Sequence, residues 1–308
     1  MLRGDSVPSF KHDRVTPAQI IILGFLLLIF TGAVLLMLPF STQEPGGASF
    51  GDALFTATSA TCVTGLVLHD TALYWSPFGQ LVILLLIQVG GMGVVTIAVA
   101  IFMFAGKRIG LKQRWVMQES ISAPQVGGIV RMTGFILKTA FLIEGVGVLL
   151  LALRFCPQFG LGRGLWYAVF HSVSAFCNAG FDLMGVNSPF SSLTDYVGDP
   201  LVSNVIAFLI IIGGVGFLTW NDIREHKLHF RRYRLQSKLI LTTTLALILT
   251  GLLFFLLYEF EQGQWVDMSL WERINAAFFQ SVTPRTAGFN TVDLTGLSQP
   301  AQLLIILL

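Results

Sequence analysis

Three stretches of this chain carry residue types that could do chemistry on an ion. Phe55–Leu66 (FTATSATCVTGL), Phe170–Phe181 (FHSVSAFCNAGF) and Phe278–Phe289 (FFQSVTPRTAGF) each run from a Phe through small and hydroxyl residues to a Gly ten positions later; aligning the third from Phe279 makes it one residue shorter. Each reads as a short helix ending in a Gly-containing turn. Backbone after such a helix has carbonyls free to replace the water around a permeant cation. Gly lets those carbonyls turn toward an axis without steric cost. Helix carboxyl ends carry partial negative charge, so three of them aimed at one axis would stabilise a monovalent cation. The bland alternative is that Ser/Thr/Gly segments are surfaces for close helix packing in a bilayer. One copy would favour that alternative; three copies in matched surroundings favour an ion site.

The elements that must position these stretches follow from composition. Hydrophobic residues make up 54% of the chain and charged residues 12%, about half the share in a soluble domain, and mean hydropathy is +0.74. The chain belongs in a bilayer. Pro17 to Leu38 is long enough to span it, and further apolar spans are predicted from about Pro77 to Phe104, Ile129 to Phe155, Asp199 to Trp220 and Leu239 to Phe260. The first short helix, Gly51 to Ala60, covers only about 15 Å and must enter and leave on one side. Re-entrant pieces at Gly162–Phe181 and Leu270–Phe289 repeat that arrangement. The reading is an all-α polytopic membrane protein built from helix, re-entrant helix and helix units: a tail at 1–15 and repeats at 16–114, 115–235 and 236–308, the last incomplete, its closing helix only begun at Gln302.

Orientation follows from Lys and Arg, which gather on the cytoplasmic side. Of 19 basic residues, all but Arg154, Arg163, Arg273 and Arg285 lie in or beside the tail, Gly106–Arg114 and Arg224–Lys238. The amino terminus is therefore expected inside and the three loops at the outer face. Trp75, Trp115, Trp166, Trp220, Trp265 and Trp271 fall at span ends or in loops, where interfacial anchors belong.

The motifs Thr61–Leu66 (TCVTGL), Asn178–Phe181 (NAGF), Thr283–Asn290 (TPRTAGFN), Gln88–Gly93 (QVGGMG) and Ile212–Gly216 (IGGVG), with Thr16-Pro17 before the first span, resemble the Ktr/Trk/HKT superfamily of potassium transporters, most of all the bacterial Ktr membrane subunit. The resemblance covers essentially the whole chain. It implies a selectivity filter formed by Cys62, Val63, Thr64 and Gly65, by Asn178, Ala179 and Gly180, and by Thr286, Ala287 and Gly288, with K+ held by their backbone carbonyls. A Gly in the first loop goes with potassium rather than sodium. It further implies four repeats around one pseudo-fourfold pore, a homodimer and a cytosolic nucleotide-binding regulatory ring, with Arg224–Lys238 as a contact. The fourth repeat and the irregular gate loop of the third repeat's closing helix are not in this sequence, which is expected to be a fragment of a longer product.

Other residues have plainer readings. The Gly-Gly-x-Gly runs lack the strand and the Lys-Ser/Thr of a phosphate loop and read as close helix packing. His69-Asp70 reads as a solvated pair in the vestibule, and His171 as hydrogen-bonded within the second short helix. Cys62, Cys156 and Cys177 read as free thiols. Glu144, in mid-span, is a functional candidate because a carboxylate there is costly. Lys138 on the same span can snorkel. Arg285, three residues before Gly288, is expected to point behind the loop and pair with Glu144, Asp182 or Asp293; with Glu144 it is assigned to filter support.

The function expected is passive potassium uptake across the plasma membrane of a bacterium, as the membrane subunit of a regulated system. The membrane potential supplies about 2.3 kcal/mol per charge per 100 mV. Expected partners are lipid, a second copy and the regulatory ring, with no nucleic acid and no covalently bound cofactor; Na+ is a candidate coupling or activating ion, hence symport. The competing reading is a non-conducting membrane module that dimerises without transporting. A membrane-embedded enzyme ranks third, for want of a nucleophile or metal cluster.

Overall fold

A computed structural model describes residues 16–94, 96–98, 110–120, 129–227 and 229–308. The tail at 1–15 and residues 106–109 of the Gly106–Arg114 basic segment lie outside the described residues.

The first unit opens with α1 (Pro17–Leu36), which starts where Thr16 and Gln19 form a capping box and Pro17 takes the first helical position. A loop leads to α2 (Phe50–Cys62), capped by Ser49, then to the one-turn α3 (Thr71–Tyr74) and to α4 (Pro77–Met92), capped by Ser76. After α5 (Leu111–Ser120) the second unit comprises α6 (Ile129–Phe159), α7 (Leu161–Phe176), α8 (Pro200–Gly214) and α9 (Phe217–His226). The third has α10 (Leu235–Phe254), extended by a π turn to Glu259, then α11 (Leu270–Val282) and α12 (Gln299–Leu307). In each unit the third long helix starts the same way. The side chains of Ser76, Asp199 and Ser298 accept backbone N–H groups of the first turn, and Pro77, Pro200 and Pro300 sit in that turn, where a missing N–H costs nothing.

α1, α6 and α10 are long and apolar enough to cross a bilayer. The other two expected spans are not straight crossings. The helix from Pro77 stops at Met92, and that from Pro200 stops at Gly214 and resumes at Phe217 bent by 91°. Both stop at the last Gly of a Gly-Gly-x-Gly run: Gly93 has φ 84° and Gly216 φ 85°, left-handed values that an α-helix does not contain. Apolar residues continue beyond each break, so the sequence reads through it.

The short helices α2, α7 and α11 are the buried centre of each unit. Ala53, Ala57, Ala60, Phe170, Ala175, Ala276, Ala277 and Phe279 are each fully buried. Each packs against its unit's first long helix through a mid-helix Gly. A methyl group on Gly32, Gly147 or Gly251 would come within 3.3 Å of Ala57 Cβ, 2.4 Å of Ser172 Oγ or 2.8 Å of Ser281 Cβ. The exposed apolar residues of α1, α6 and α10, such as Leu27, Leu149 and Leu257, face outward as a lipid-contacting surface requires.

Two sequence expectations change here. Trp115 and Trp271 are exposed, as interfacial anchors would be, but Trp75, Trp220 and Trp265 are buried. Trp265 stacks on Phe255 at 5.9 Å, and the Trp220 indole N–H donates to Ile212 O at 3.1 Å, so these rings fill the core. His69 does not pair with Asp70: it lies 3.4 Å from Asp52 and stacks on Tyr74, while Asp70 caps α3 and accepts the Phe190 N–H at 2.7 Å. Asp70 thereby ties the outer segment of the second unit to the first.

Candidate ion-binding site

After α2, α7 and α11 the backbone takes one form three times. Val63 and Gly65 have φ of 57° and 74°, Asn178 and Gly180 56° and 71°, and Thr286 and Gly288 66° and 82°, while Thr64, Ala179 and Ala287 between them keep negative φ. Left-handed backbone at two alternate positions is rare outside Gly. Here it is held in each copy by a hydroxyl on the short helix or, for Thr283, at its carboxyl cap. Ser59 Oγ donates to Leu66 O at 2.7 Å, Ser174 Oγ to Phe181 O at 2.6 Å and Thr283 Oγ1 to Phe289 O at 2.5 Å. The same three residues accept backbone N–H groups of the turn: Thr64 N to Ser59 O, Ala179 N to Ser174 O and Ala287 N to Thr283 O. Ser59 and Ser174 stand six residues before their Gly and Thr283 five, so the third copy aligns from Phe279.

The three loops sit side by side. A methyl group on Gly65 would lie 2.7 Å from Ala179 O, and one on Gly180 would lie 2.5 Å from Ala287 O. The carbonyls of Ala179 and Ala287 therefore face the glycine of the neighbouring loop. Leu193 N donates to Asn290 O at 2.8 Å and Asn290 N to Ser192 Oγ at 3.1 Å, joining the outer segments of the second and third units. The row does not close on itself. Val63 and Thr64 of the first loop face Thr286, Ala287 and Gly288 of the third across an open cavity of about 460 Å³. Gln280 also lines it, fully buried, with both carboxamide atoms unpartnered among the described residues.

The Gly-Gly pairs that precede the helix breaks do pack closely, and against these loops' own helices. A methyl group on Gly90 would lie 2.0 Å from Thr61 O, and one on Gly213 would lie 1.9 Å from Phe176 O. Thr61 and Phe176 each stand four residues before a loop Gly. α4 and α8 thus touch the carboxyl ends of α2 and α7 with no room for a side chain.

Glu144 is 4% exposed and takes two hydrogen bonds from Gln88 Nε2 of α4, at 2.9 and 3.1 Å; its backbone carbonyl accepts Ser172 Oγ of α7 at 2.7 Å. It joins the first unit to the second behind the second loop. Arg285 pairs with none of the three expected carboxylates. Its Nη2 donates to Thr244 Oγ1 of α10 at 2.9 Å, and its Nη1 has no partner among the described residues. The carboxylates are engaged elsewhere: Glu144 by Gln88, Asp182 by the Met184 N–H at 2.9 Å, and Asp293 by Thr295 at 2.7 Å. Burial raises Asp182 to about 6. The Asp182–Met184 and Asp293–Thr295 bonds are both local turns. His171 is hydrogen-bonded as expected: Nδ1 is 2.7 Å from Tyr167 O, and Nε2 accepts Leu183 N–H at 3.3 Å, fixing the segment after the second loop.

The three cysteines are free thiols. Cys62 is exposed at the end of α2, whereas Cys177 packs against Gly91, where a methyl group would lie 2.7 Å from its Sγ. A small hydrophilic thiol reagent should therefore label Cys62 fast and Cys177 at least about tenfold more slowly, since reactivity follows access. Peptide mapping by mass spectrometry checks this; equal labelling would mean that α4 does not shield Cys177.

The sequence did not single out Gly32, Gly147, Gly251 or the hydroxyls of Ser59, Ser174 and Thr283. A signal existed in the first two copies, where Gly32 and Gly147 stand at one distance from their loop glycine and Ser59 and Ser174 at another; in the third copy both spacings differ.

The family model described as "TrkH: Cation transport protein" matches residues 7–308. The chain belongs to the TrkH family. Ktr system potassium uptake protein B of Bacillus subtilis is 45% identical over 284 residues, covering 92% of this chain and 62% of that protein. Potassium/sodium uptake protein NtpJ of Enterococcus hirae is 40% identical over 297 residues, covering 96% and 64%. This TrkH-family chain therefore spans less than two thirds of the length of either relative. The crystal structure of the potassium transporter TrkH from Vibrio parahaemolyticus matches with a TM-score of 0.67 at 18% identity, covering 96% of this chain and 57% of that one. At that identity the match speaks to the fold, an all-helical multi-pass membrane protein.

Proposed function

We propose that this chain forms three quarters of a potassium-uptake pore. Residues 16–114, 115–235 and 236–308 are its pore repeats, and Cys62–Gly65, Asn178–Gly180 and Thr286–Gly288 coordinate K+ through backbone carbonyls. The observation that carries the reading is the repeated backbone: two left-handed residues around one ordinary one, in three adjacent loops, each held by a helix hydroxyl. Peptide units that alternate in hand along a strand turn their carbonyls to one side. A row of such carbonyls can stand in for the water shell of a monovalent cation. Irregular backbone of this kind persists in a membrane only when it is buried in protein or lines water. Glu144 and Arg285 support the loops from behind, through Gln88 and Thr244.

A fourth loop belongs in the open cavity between the first and third loops, where the length by which the relatives exceed this chain would supply it. Gln280, buried and unpartnered at that cavity, is a group such a loop would satisfy. The homodimer, the cytosolic regulatory ring on Arg224–Lys238 and a role for Na+ remain parts of this proposal that rest on family resemblance.

The test is uptake of rubidium, a potassium surrogate, in bacteria lacking their own potassium uptake. Residues 1–308 joined to the part of the B. subtilis relative that this chain does not cover should restore uptake, and residues 1–308 expressed alone should not. Uptake by the 308 residues alone would overturn the four-loop pore. A folded, membrane-inserted chimaera without uptake would favour the non-conducting module.

A further inference from the structure

We propose that Asp222, Glu225 and His226 form a binding site for a divalent transition-metal ion of the zinc class, where the carboxyl end of α9 meets the start of α10. The site lies apart from the ion loops and stands or falls without the pore reading.

Residues at i, i+3 and i+4 of a helix share one face, so α9 presents these three side chains together. In the folded chain one oxygen of each carboxylate and one ring nitrogen of His226 lie within 4.8 Å of one another. Bonds of about 2.1 Å to a tetrahedral zinc ion put its ligands about 3.4 Å apart. Glu225 is exposed and His226 half-buried, so their side chains have the freedom to close that difference.

Asp222 gives the second, independent sign of a ligand. It is 0% exposed, and its Oδ2 accepts the Arg234 N–H at 3.0 Å and the Ser237 hydroxyl at 2.6 Å, both from the start of α10. Hydrogen bonds of this kind orient a metal-ligating carboxylate from behind. Its Oδ1 has no hydrogen-bond partner among the described residues, a costly state for a buried carboxylate oxygen. What stands beside Oδ1 is already a cation. Arg234 Nε is 3.4 Å away, an ion-pair distance without hydrogen-bond geometry, on a side chain that is 46% exposed and so free to leave. A metal ion would reach Oδ1 by taking the place of the guanidinium.

The other two ligands also have an atom to spare. Glu225 Oε1 accepts Asn221 Nδ2 at 2.9 Å, which leaves Oε2, and the His226 ring nitrogens take part in no hydrogen bond among the described residues. α9 ends at His226, so the partial negative charge of its carboxyl end adds to that of the two carboxylates. Two oxygens and one imidazole nitrogen suit zinc and its transition-metal neighbours. Magnesium, which prefers six oxygens and gives up its water reluctantly, suits them less. Bound there, the ion would fasten α9 to the start of α10 and turn Arg234 out to solvent, changing the charge that the Arg224–Lys238 segment presents.

The experiment uses the purified full chain without an affinity tag, in a neutral detergent and stripped of metal by a chelator. Zinc retained after dialysis is counted per chain, and thermal unfolding is followed with zinc or magnesium at equal ionic strength. The expected result is one zinc per chain and a midpoint raised by zinc and not by magnesium. Glu225→Gln and His226→Gln should each weaken zinc binding at least about tenfold while the metal-free midpoint stays where it was. Arg234→Gln, which keeps the backbone N–H to Asp222 and removes a competing charge, should tighten it several-fold. His229→Gln is the control and should change nothing. A wild type that retains no zinc would overturn the site. So would zinc binding that survives both Glu225→Gln and His226→Gln, or that is lost in His229→Gln, since either means adventitious surface binding only. Because Glu225 and His226 are not buried, their variants keep the test decisive without disturbing Asp222.

Discussion

Gly213→Ala and Gly90→Ala should each destabilise the membrane domain. The added methyl groups would lie 1.9 Å from Phe176 O and 2.0 Å from Thr61 O, and both obstacles are backbone. No rotamer change can relieve them. Overpacking of this sort typically costs about 1–3 kcal/mol, and a contact of backbone on backbone belongs at or beyond the upper end. The effect should register as a thermal midpoint lowered by several degrees and as faster proteolysis of α4 or α8. Gly145→Ala is the control, because nothing lies within 4 Å of its added methyl in the middle of α6. There the gain in helix propensity, about 1 kcal/mol, should show as an unchanged or slightly raised midpoint. Equal behaviour of Gly213→Ala and Gly145→Ala would remove the contact between half-helix and short helix from the account.

The loop glycines should rank by position in the row. Gly180→Ala combines a left-handed residue, φ 71°, with a methyl group 2.5 Å from Ala287 O, and Gly65→Ala combines φ 74° with a distance of 2.7 Å to Ala179 O. Gly288→Ala meets nothing nearer than 3.5 Å and carries only the conformational penalty of its φ of 82°. Left-handed backbone costs a non-Gly residue about 1–2 kcal/mol, and the clash adds a comparable amount. In the completed chimaera, Gly180→Ala and Gly65→Ala should reduce rubidium uptake at least about a hundredfold at normal protein yield, with Gly288→Ala milder. A reversed order, with Gly288 the most sensitive, would mean that the loops face one another differently.

The short helices and their turns could be read from the sequence because a Phe-to-Gly interval recurs, and recurrence separates a built feature from chance composition. α2 was expected at Gly51–Ala60 and spans Phe50–Cys62; α11 lies within the expected Leu270–Phe289 piece. The breaks at Gly93 and Gly216 were hidden by the solvent itself. Hydropathy does not change across them, since Val94 and Phe217 are as apolar as what precedes, and Gly within a membrane helix usually signals packing. Here neighbouring glycines do both: Gly90 and Gly213 make the contact, and three residues on Gly93 and Gly216 end the helix. Arg285 shows a different limit. Charge logic asked for a carboxylate, but which carboxylates remain free depends on local turns such as Asp182 to Met184, and those are settled only when the chain is folded. His69 went to Asp52 rather than its neighbour for the same reason: adjacent residues on a bend point apart.

The third loop is one residue shorter than the other two, yet Thr283 holds Phe289 as Ser59 holds Leu66. Were the loops supplied by identical subunits, a deletion would strike every copy at once, and no intermediate would keep an intact sibling. Joined in one polypeptide, each copy accumulates changes by itself. The shorter interval beside Pro284 thus alters one loop while the other two keep theirs, so the three strands can be varied one at a time.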